Sequence, residues 1–189
     1  MKNIVIFASG SGTNAENIIR YFNEKKTASI KCVMTNNPTA GVIERAKNLK
    51  VPVVIFDREA IKNPAKLLAD LNTLETDFIV LAGFLWKIPE ELIHAFPNKI
   101  INIHPALLPK YGGKGMYGMH VHEAVIENKE PKSGITIHYI NEKYDEGAII
   151  FQAETEVRKS DTPESLAERI HKLEYEYFPQ VVEKILLDI

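Results

Sequence analysis

The chain has 189 residues, of which 45% are apolar and 25% charged, which allows one well-buried core and is short for two complete domains. We therefore expect one domain over residues 1–189. The net charge of −2 at pH 7 gives no basic field that would attract nucleic acid or an anionic membrane surface, so any phosphate must be bound locally.

The N-terminal apolar run, Ile4 to Ala8, is too short for the core of a signal peptide or for a membrane span. We therefore expect a cytoplasmic protein without a membrane partner. The single cysteine, Cys32, excludes an intramolecular disulfide framework and a multi-cysteine zinc site. Its apolar neighbours favour a small buried hydrophobe over a nucleophile.

Alternating strands and helices are predicted for the first part of the chain. A strand over 3–8 is followed by a glycine turn and a helix. The apolar residues of this helix recur at the spacing of one helix face, at Ala15, Ile18, Ile19 and Phe22. Two more strands, over 30–34 and 51–56, flank a helix over 42–49, and this order is typical of a βαβ unit.

The middle of the chain continues the alternation. Asn63 is predicted to cap a helix whose first turn holds Pro64, a residue that has no amide hydrogen to lose there. Unbroken apolar runs over 78–82 and 99–103 predict two more strands, with a short helix from Pro89 to about Phe96 between them. Strands without polar alternation favour a parallel sheet that helices cover on both faces.

A different pattern follows residue 104. A loop rich in glycine and proline runs from Pro105 to Gly118, and its length indicates an active-site loop. Apolar and polar residues alternate from Ser133, and a turn at Tyr144 to Gly147 leads into a further strand, which predicts an antiparallel hairpin. A long amphipathic helix is predicted to begin at Thr162-Pro163.

These elements predict the α/β class, with a three-layer, Rossmann-like open sheet that is parallel in its N-terminal half and has an antiparallel hairpin in its C-terminal half. We expect residues 1–100 to form a phosphate-binding βαβ half and residues 101–189 to carry catalysis. Sheets of this kind bind ligands at the carboxyl ends of their strands.

The turn Gly10-Ser11-Gly12-Thr13-Asn14 joins a predicted strand to a predicted helix. Glycines let the backbone approach a ligand and free amides at a helix N-terminus favour an anion, so the turn is a candidate phosphate site. A plain tight turn with Asn14 as the helix cap is an equally good alternative. No Gly-Lys-Ser/Thr follows, and Ala15 replaces the third glycine of a dinucleotide fingerprint, which argues against both of those nucleotide-binding classes.

Asn102 and His104 lie where the strand over 99–103 ends. Period-two geometry puts both side chains on one face, so an amide donor and an imidazole can converge on one reacting atom. For an isolated pair, a structural role in the loop is the simpler alternative. If the hairpin turn packs beside this strand, the carboxylate of Asp145 would favour the protonated imidazole and general acid catalysis.

No convincing metal-ligand spacing is present, so we expect no metal site. His120 and His122 are two residues apart at the start of a predicted helix, which points them to different faces. His138 is expected on the polar side of its strand. His171 and Glu174 lie on or beside the polar side of the last helix, where exposure to solvent is the default.

Taken together, these segments resemble the glycinamide ribonucleotide formyltransferase family over essentially the whole chain. Ser9 to Asn14 is similar to the family's phosphate turn, and Leu81 to Leu85 is similar to the strand end at its folate pocket. Asn102 to Lys110 is similar to its signature, and Asp145 to Gly147 to its acidic loop. One such match can arise by chance, whereas four in the family's order are specific.

The resemblance implies that the chain transfers a formyl group from 10-formyltetrahydrofolate to the amine of glycinamide ribonucleotide in purine synthesis, with no tightly bound cofactor and no metal. By the same resemblance, the catalytic residues would be Asn102, His104 and Asp145. The residues that would bind the ribonucleotide are Gly12, Thr13, Asn14 and Glu174. The folate contacts would be Phe84, Leu85, Trp86, Lys87, Ile88 and Asn102. Residues 101–189 are expected to be the catalytic and folate-binding half, with Phe84 to Ile88 reaching the folate from the first half.

Two segments depart from the family's pattern. Leu85-Trp86-Lys87-Ile88 stands where the family commonly has Met-Arg-Ile after its Gly-Phe pair. The loop from Gly112 to Met119 is longer than in the family's shorter forms, and its glycines predict either mobility over the substrate or a contact between subunits. We expect a monomer or a homodimer.

Three alternatives stay open at this point. Methionyl-tRNA formyltransferase resembles this fold with a further C-terminal domain, and formyltetrahydrofolate hydrolase resembles it with a further N-terminal domain. We expect neither, because the sequence ends after one helix and its first strand begins at Asn3. A non-catalytic phosphate-binding module with the turn at Gly10 would have no special need for His104.

Overall fold

A single seven-stranded sheet forms the centre of the computed structural model, which describes residues 1–188. The strands are β1 (Lys2–Phe7), β2 (Ala28–Thr35), β3 (Val53–Ile55), β4 (Phe78–Leu81), β5 (Ile100–His104), β6 (Lys132–Tyr139) and β7 (Ile149–Glu156). Their spatial order is β3-β2-β1-β4-β5-β6-β7. Pairs from β3 to β5 are parallel, whereas β6 pairs antiparallel with both β5 and β7. The predicted fold class is confirmed.

Helices cover both faces of the sheet. They are α1 (Thr13–Lys25), α2 (Val42–Asn48), α3 (Arg58–Lys62), α4 (Ala65–Thr73), α5 (Glu90–Ala95), α6 (Met119–Glu127) and α7 (Pro163–Leu187). Because successive side chains of a strand point to opposite faces, Ile4 and Ile6 of β1 pack with α1, α2 and α7, whereas Val5 and Phe7 pack with α4 and α5. These two cores give the three layers.

The strand order reverses between β1 and β4. From β1 the chain adds β2 and β3 on one side, and it then returns to add β4 and β5 on the other side. A crevice opens at the carboxyl ends of strands where an open α/β sheet reverses in this way. The glycine turn after β1 and the segment after β4 flank this crevice, and the Ser9 amide donates to the Gly83 carbonyl across it at 3.0 Å.

The segment between β3 and β4 differs from the prediction. A five-residue helix, α3, precedes α4, and Asp57 caps it by accepting a hydrogen bond from the Ala60 amide at 3.1 Å. The prediction that Asn63 caps α4 is wrong, because Asn63 ends α3 and its amide donates back to Glu59. Pro64 takes the cap position of α4 without a side-chain hydrogen bond.

Helix α7 begins as predicted. The Thr162 hydroxyl accepts from the Ser165 amide at 3.3 Å, the Ser165 hydroxyl accepts from the Thr162 amide at 3.0 Å, and Pro163 occupies the first turn. The helix packs on α1, α6, β6 and β7, which carries Glu174 to the first turn of α1. Within residues 1–188, no helix has both the length and the apolar character to cross a membrane.

Candidate active site

His104 ends β5 and is almost fully buried, with 3% of its surface exposed. Its Nε2 lies 2.6 Å from the Tyr111 carbonyl oxygen, so Nε2 carries a hydrogen, because a carbonyl can only accept. Its Nδ1 lies 3.7 Å from Asp145 Oδ2, which is too long for a direct hydrogen bond but close enough for an ion pair. The structure therefore brings together the predicted imidazole and carboxylate.

Asp145 reaches this position from the loop between β6 and β7. Its Oδ2 accepts a hydrogen bond from the Gly113 amide at 2.9 Å. Gly147 permits the approach, because a Cβ at Gly147 would lie 1.7 Å from the Tyr139 carbonyl oxygen. A glycine at this position thus lets the loop fold back on β6 and hold the carboxylate beside the end of β5.

Asn102 meets His138 across the β5–β6 pair, where the two residues are register partners. Burial lowers the pKa of His138, which keeps its ring neutral at pH 7. His138 Nδ1 lies 2.9 Å from the Tyr139 carbonyl oxygen and therefore carries the hydrogen. Its Nε2 is then an acceptor for the Asn102 amide group 3.2 Å away, so His138 orients the amide.

His138 is a residue that sequence reasoning missed. The prediction that it lies on a polar strand face is wrong, because the ring is completely buried and its Nε2 lies 3.6 Å from Asp145 Oδ1. Both faces of β6 are covered, although its sequence alternates. No local sequence signal distinguishes His138, because its role follows from the pairing of β6 with β5, which sets it opposite Asn102.

His120 and His122 differ in exposure, as expected for side chains on different faces of α6. His120 is exposed and lies 3.3 Å from Glu123, whereas His122 is 2% exposed and burial lowers its pKa. No group of three or more His, Cys, Asp or Glu side chains in the described chain is arranged to hold a metal ion.

The glycine turn is held tightly against α2. Gly12 has a φ of 78°, and a Cβ there would lie 2.4 Å from the Val42 Cβ. The Val42 amide donates to the Gly10 carbonyl at 3.1 Å, and Arg45 Nε donates to the Ser11 carbonyl at 2.9 Å. Helix α1 begins at Thr13, and the amides of a first helical turn have no partner within the helix. The turn can therefore present its amides to an anion.

Asn14 and Glu174 meet beside this turn. Gly12, not Asn14, is the cap of α1, and Asn14 Nδ2 instead donates to Glu174 Oε2 at 2.8 Å. Glu174 is 5% exposed, so the expected exposure to solvent is wrong. His171 Nδ1 lies 3.0 Å from the same carboxylate oxygen, and this hydrogen bond raises the pKa of His171. Asn14 Oδ1 is buried and has no partner among residues 1–188.

We expect Gly12→Ala to lower the free energy of unfolding by about 2 to 4 kcal/mol. The alanine would be strained at a φ of 78°, and its Cβ would also overlap with the Val42 side chain. Urea unfolding followed by circular dichroism measures this change. Gly10→Ala is the matched control, since a Cβ at Gly10 has no neighbour within 4 Å, and its effect is expected to stay within about 0.5 kcal/mol. Equal unfolding free energies for Gly12→Ala and the wild type would contradict the close contact.

The segment after β4 divides between core and surface. Phe84 and Ile88 are buried, and Phe84 packs edge-on against Phe7 with ring centroids 5.4 Å apart. Leu85 is 51% exposed, and its amide donates to the Ser9 hydroxyl at 3.0 Å. Lys87 is exposed, whereas Trp86 is half-buried with the Arg58 guanidinium 5.3 Å from its ring centroid. The predicted folate residues thus share one segment but not one surface.

Two open cavities lie near the candidate site, and one of them borders Trp86. The larger, of about 830 Å³, lies between β3, α3, α4 and Trp86, and its lining contains none of Asn102, His104 and Asp145. The smaller, of about 480 Å³, lies between the loop after β5 and the loop after β6, and Asp145 lines it. Size alone would select the larger groove, whereas the smaller one is the cavity that has a residue of the proposed catalytic set, Asp145, in its lining.

Comparison with known proteins gives one consistent family. The family model described as Formyl transferase matches residues 2–182. The chain is 40% identical over 187 residues to the chloroplastic phosphoribosylglycinamide formyltransferase of Arabidopsis thaliana and covers 64% of it. It is 37% identical over 191 residues to phosphoribosylglycinamide formyltransferase of Bacillus subtilis and covers 95% of that protein. These matches include 96% and 98% of the present chain, respectively.

A solved structure agrees with these sequence matches. The crystal structure of phosphoribosylglycinamide formyltransferase from Bacillus halodurans superposes with a TM-score of 0.89 and 34% identity. The superposition covers 98% of the present chain and 95% of that one. The chain thus spans about two thirds of the plant relative but almost all of the bacterial relatives.

Proposed function

The chain belongs to the formyl transferase family, and on that premise we propose that it transfers the formyl group of 10-formyltetrahydrofolate to the amine of glycinamide ribonucleotide in purine synthesis. The observation that carries the proposal is the convergence of Asn102, His104 and Asp145 at the end of β5. An amide, an imidazole and a carboxylate at one point suit acyl transfer to an amine.

In this proposal the phosphate of the ribonucleotide binds the amides of Gly12, Thr13 and Asn14. The open first turn of α1 supports this placement, because its amides and the helix dipole favour an anion. Glu174 holds a ribose hydroxyl. The bonds from Asn14 and His171 both go to Oε2 of Glu174, which leaves Oε1 to accept from a ligand.

The formylated folate is proposed to lie between the segment Phe84 to Ile88 and the Asp145 loop. On the Asp145 side, the smaller cavity supports this placement, since Leu108, Pro109 and Ile149 give it an apolar wall. On the other side, Leu85 is 51% exposed and free to contact a ligand. A pteridine ring system can pack against such a wall while its polar edge bonds backbone groups.

The reaction forms a bond between the amine nitrogen and the formyl carbon and breaks the bond between that carbon and N10 of the folate. The carbon becomes tetrahedral, its oxygen becomes negative, and overall one proton leaves the amine while one arrives at N10. Asn102 Nδ2 and protonated His104 donate to the oxygen. One such donor is worth about 3 to 4 kcal/mol in the transition state.

In this proposed mechanism the two ring nitrogens of His104 have different roles, and the contacts of the ring support the division. Nε2 donates to the Tyr111 carbonyl, so Nδ1, on the side of Asp145, is the nitrogen that exchanges a proton. The carboxylate of Asp145, 3.7 Å from Nδ1, can exchange a proton with the ring through bridging water. A covalent intermediate on Cys32 is not required, because that thiol is buried and burial raises its pKa to about 11.

An absorbance assay with 10-formyltetrahydrofolate tests the proposal. We expect deformylation of the folate only when glycinamide ribonucleotide is present, with formation of the formylated amine. Turnover without the amine would indicate a formyltetrahydrofolate hydrolase instead. No turnover under either condition, together with binding of the ribonucleotide, would indicate a non-catalytic binding module.

A further inference from the structure

A short stretch of the glycine-rich loop, Tyr111 to Gly113, contacts both His104 and Asp145. The Tyr111 carbonyl accepts from His104 Nε2 at 2.6 Å, and the Gly113 amide donates to Asp145 Oδ2 at 2.9 Å. This stretch of backbone therefore sets the position of the imidazole relative to the carboxylate. Its own position must be fixed for that purpose.

Glu130, between α6 and β6, holds this stretch from outside the site. The Tyr111 hydroxyl donates to Glu130 Oε1 at 2.9 Å, and Lys110 Nζ donates to the two carboxylate oxygens at 2.9 and 3.2 Å. Hydrogen bonds from Lys110 and Tyr111 hold the pKa of Glu130 below its usual range, so the carboxylate is charged at neutral pH.

The backbone of Tyr111 depends on such an anchor. Its φ is 56°, in the left-handed region that costs a non-glycine residue about 1 to 2 kcal/mol. Two contacts of the side chain stabilise this conformation. The ring packs against the core, and the hydroxyl donates a hydrogen bond to Glu130. Loss of the hydroxyl bond would let the turn relax and move the carbonyl away from His104.

We propose that Glu130 is a positioning residue for catalysis, which acts on His104 through the hydroxyl and the carbonyl of Tyr111. The expected effect on rate rests on the proposed formyl transfer, whereas the effect on the His104 ring does not. Among the described residues, the side-chain hydrogen bonds of Glu130 go to Tyr111 and Lys110. Its removal should therefore lower the rate of chemistry and leave substrate affinities unchanged.

Single-turnover formyl transfer measures this effect in the full chain. We expect Tyr111→Phe and Glu130→Ala each to slow the chemical step about tenfold, with KM for both substrates within about twofold. Glu130→Gln keeps an acceptor for the Tyr111 hydroxyl and should restore most of the rate. The double variant Tyr111→Phe/Glu130→Ala should be no slower than either single variant, because both substitutions remove the same hydrogen bond between the Tyr111 hydroxyl and Glu130.

Lys132→Met is the matched control, since it removes an exposed ion pair with Glu154, 2.7 Å long, at the start of the same hairpin. Its rate should equal that of the wild type. Thermal unfolding of each variant should stay within about 4 °C of the wild type, since loss of one exposed or half-buried bond costs about 1 kcal/mol or less.

Proton NMR gives a readout that needs no turnover. The His104 Nε2 proton, held by the Tyr111 carbonyl, should give a downfield signal that exchanges slowly with water and is absent in His104→Ala. We expect exchange to become about tenfold faster in Tyr111→Phe and Glu130→Ala, and not in Lys132→Met.

Unchanged rates and unchanged proton exchange in both variants would overturn the role of Glu130. A rate loss matched by a rise in KM, or by unfolding of the variant, would likewise overturn it in favour of general destabilisation. If the wild-type protein does not transfer formyl groups, the proposed function fails, and proton exchange alone decides whether Glu130 positions His104.

Discussion

His104→Ala is expected to lower kcat for formyl transfer by about a thousandfold, because one ring serves both as an oxyanion donor and as the group that moves a proton. Ribonucleotide affinity should stay within about twofold, since the turn at Gly12 and the carboxylate of Glu174 have no hydrogen bond to His104. Steady-state kinetics and calorimetric titration of the ribonucleotide measure the two quantities.

His94→Ala is the matched control for this experiment. His94 is an exposed histidine of α5, and its Nε2 lies 3.5 Å from Glu142. Its loss should change kcat by less than about twofold, as expected for a surface substitution. A His104→Ala variant that keeps a near-normal kcat would remove the mechanism proposed for this ring.

Asp145→Asn is expected to lower kcat about a hundredfold with little change in ribonucleotide affinity, because a general acid–base contribution of this size disappears with the charge. The amide has nearly the same shape, and its oxygen can still accept from the Gly113 amide, so the loop should keep its position. What is lost is the negative charge beside His104 Nδ1 and the site that receives a proton. Rapid-quench measurement of the chemical step checks this result.

Glu142→Gln is the matched control for Asp145→Asn. It removes a carboxylate of the loop between β6 and β7 that lies outside the site, and it should leave kcat unchanged. Glu142 is half exposed and pairs only with His94 among the described salt bridges. The double variant His104→Ala/Asp145→Asn should be about as slow as His104→Ala alone, since residues that act as a unit are not additive. Multiplicative losses would show instead that the two side chains act independently.

Much of the parallel sheet could be predicted because its signals are local. The run Ile4 to Phe7 is buried on both faces, as an apolar strand without alternation predicts. Helix α7 begins at Thr162 because the capping signals there have no competitor nearby. Between β3 and β4 two capping residues compete, and the bond of Asp57 to Ala60 starts a helix that changes the role of Asn63.

The environment of the site residues could not be predicted in the same way, because it depends on contacts between distant segments. The amphipathic pattern of α7 places Glu174 on a polar face, yet packing of α7 against α1 buries it beside Asn14. His138 alternates with apolar neighbours, which predicts a position on a polar strand face. In the structure the ring is buried, and its partner across the sheet is Asn102. Neither pairing leaves a local trace in the sequence.

Asp145 belongs to the hairpin of β6 and β7, whereas His104 belongs to the strand beside it. If the hairpin detaches transiently from β5, the Asp145 carboxylate moves away from the His104 ring, although the parallel strands keep their pairing. Local openings of this kind need less free energy than global unfolding. Catalytic turnover should therefore decline at denaturant concentrations at which the secondary structure is still intact. Enzyme activity should thus report the loss of native structure at lower denaturant concentrations than circular dichroism does.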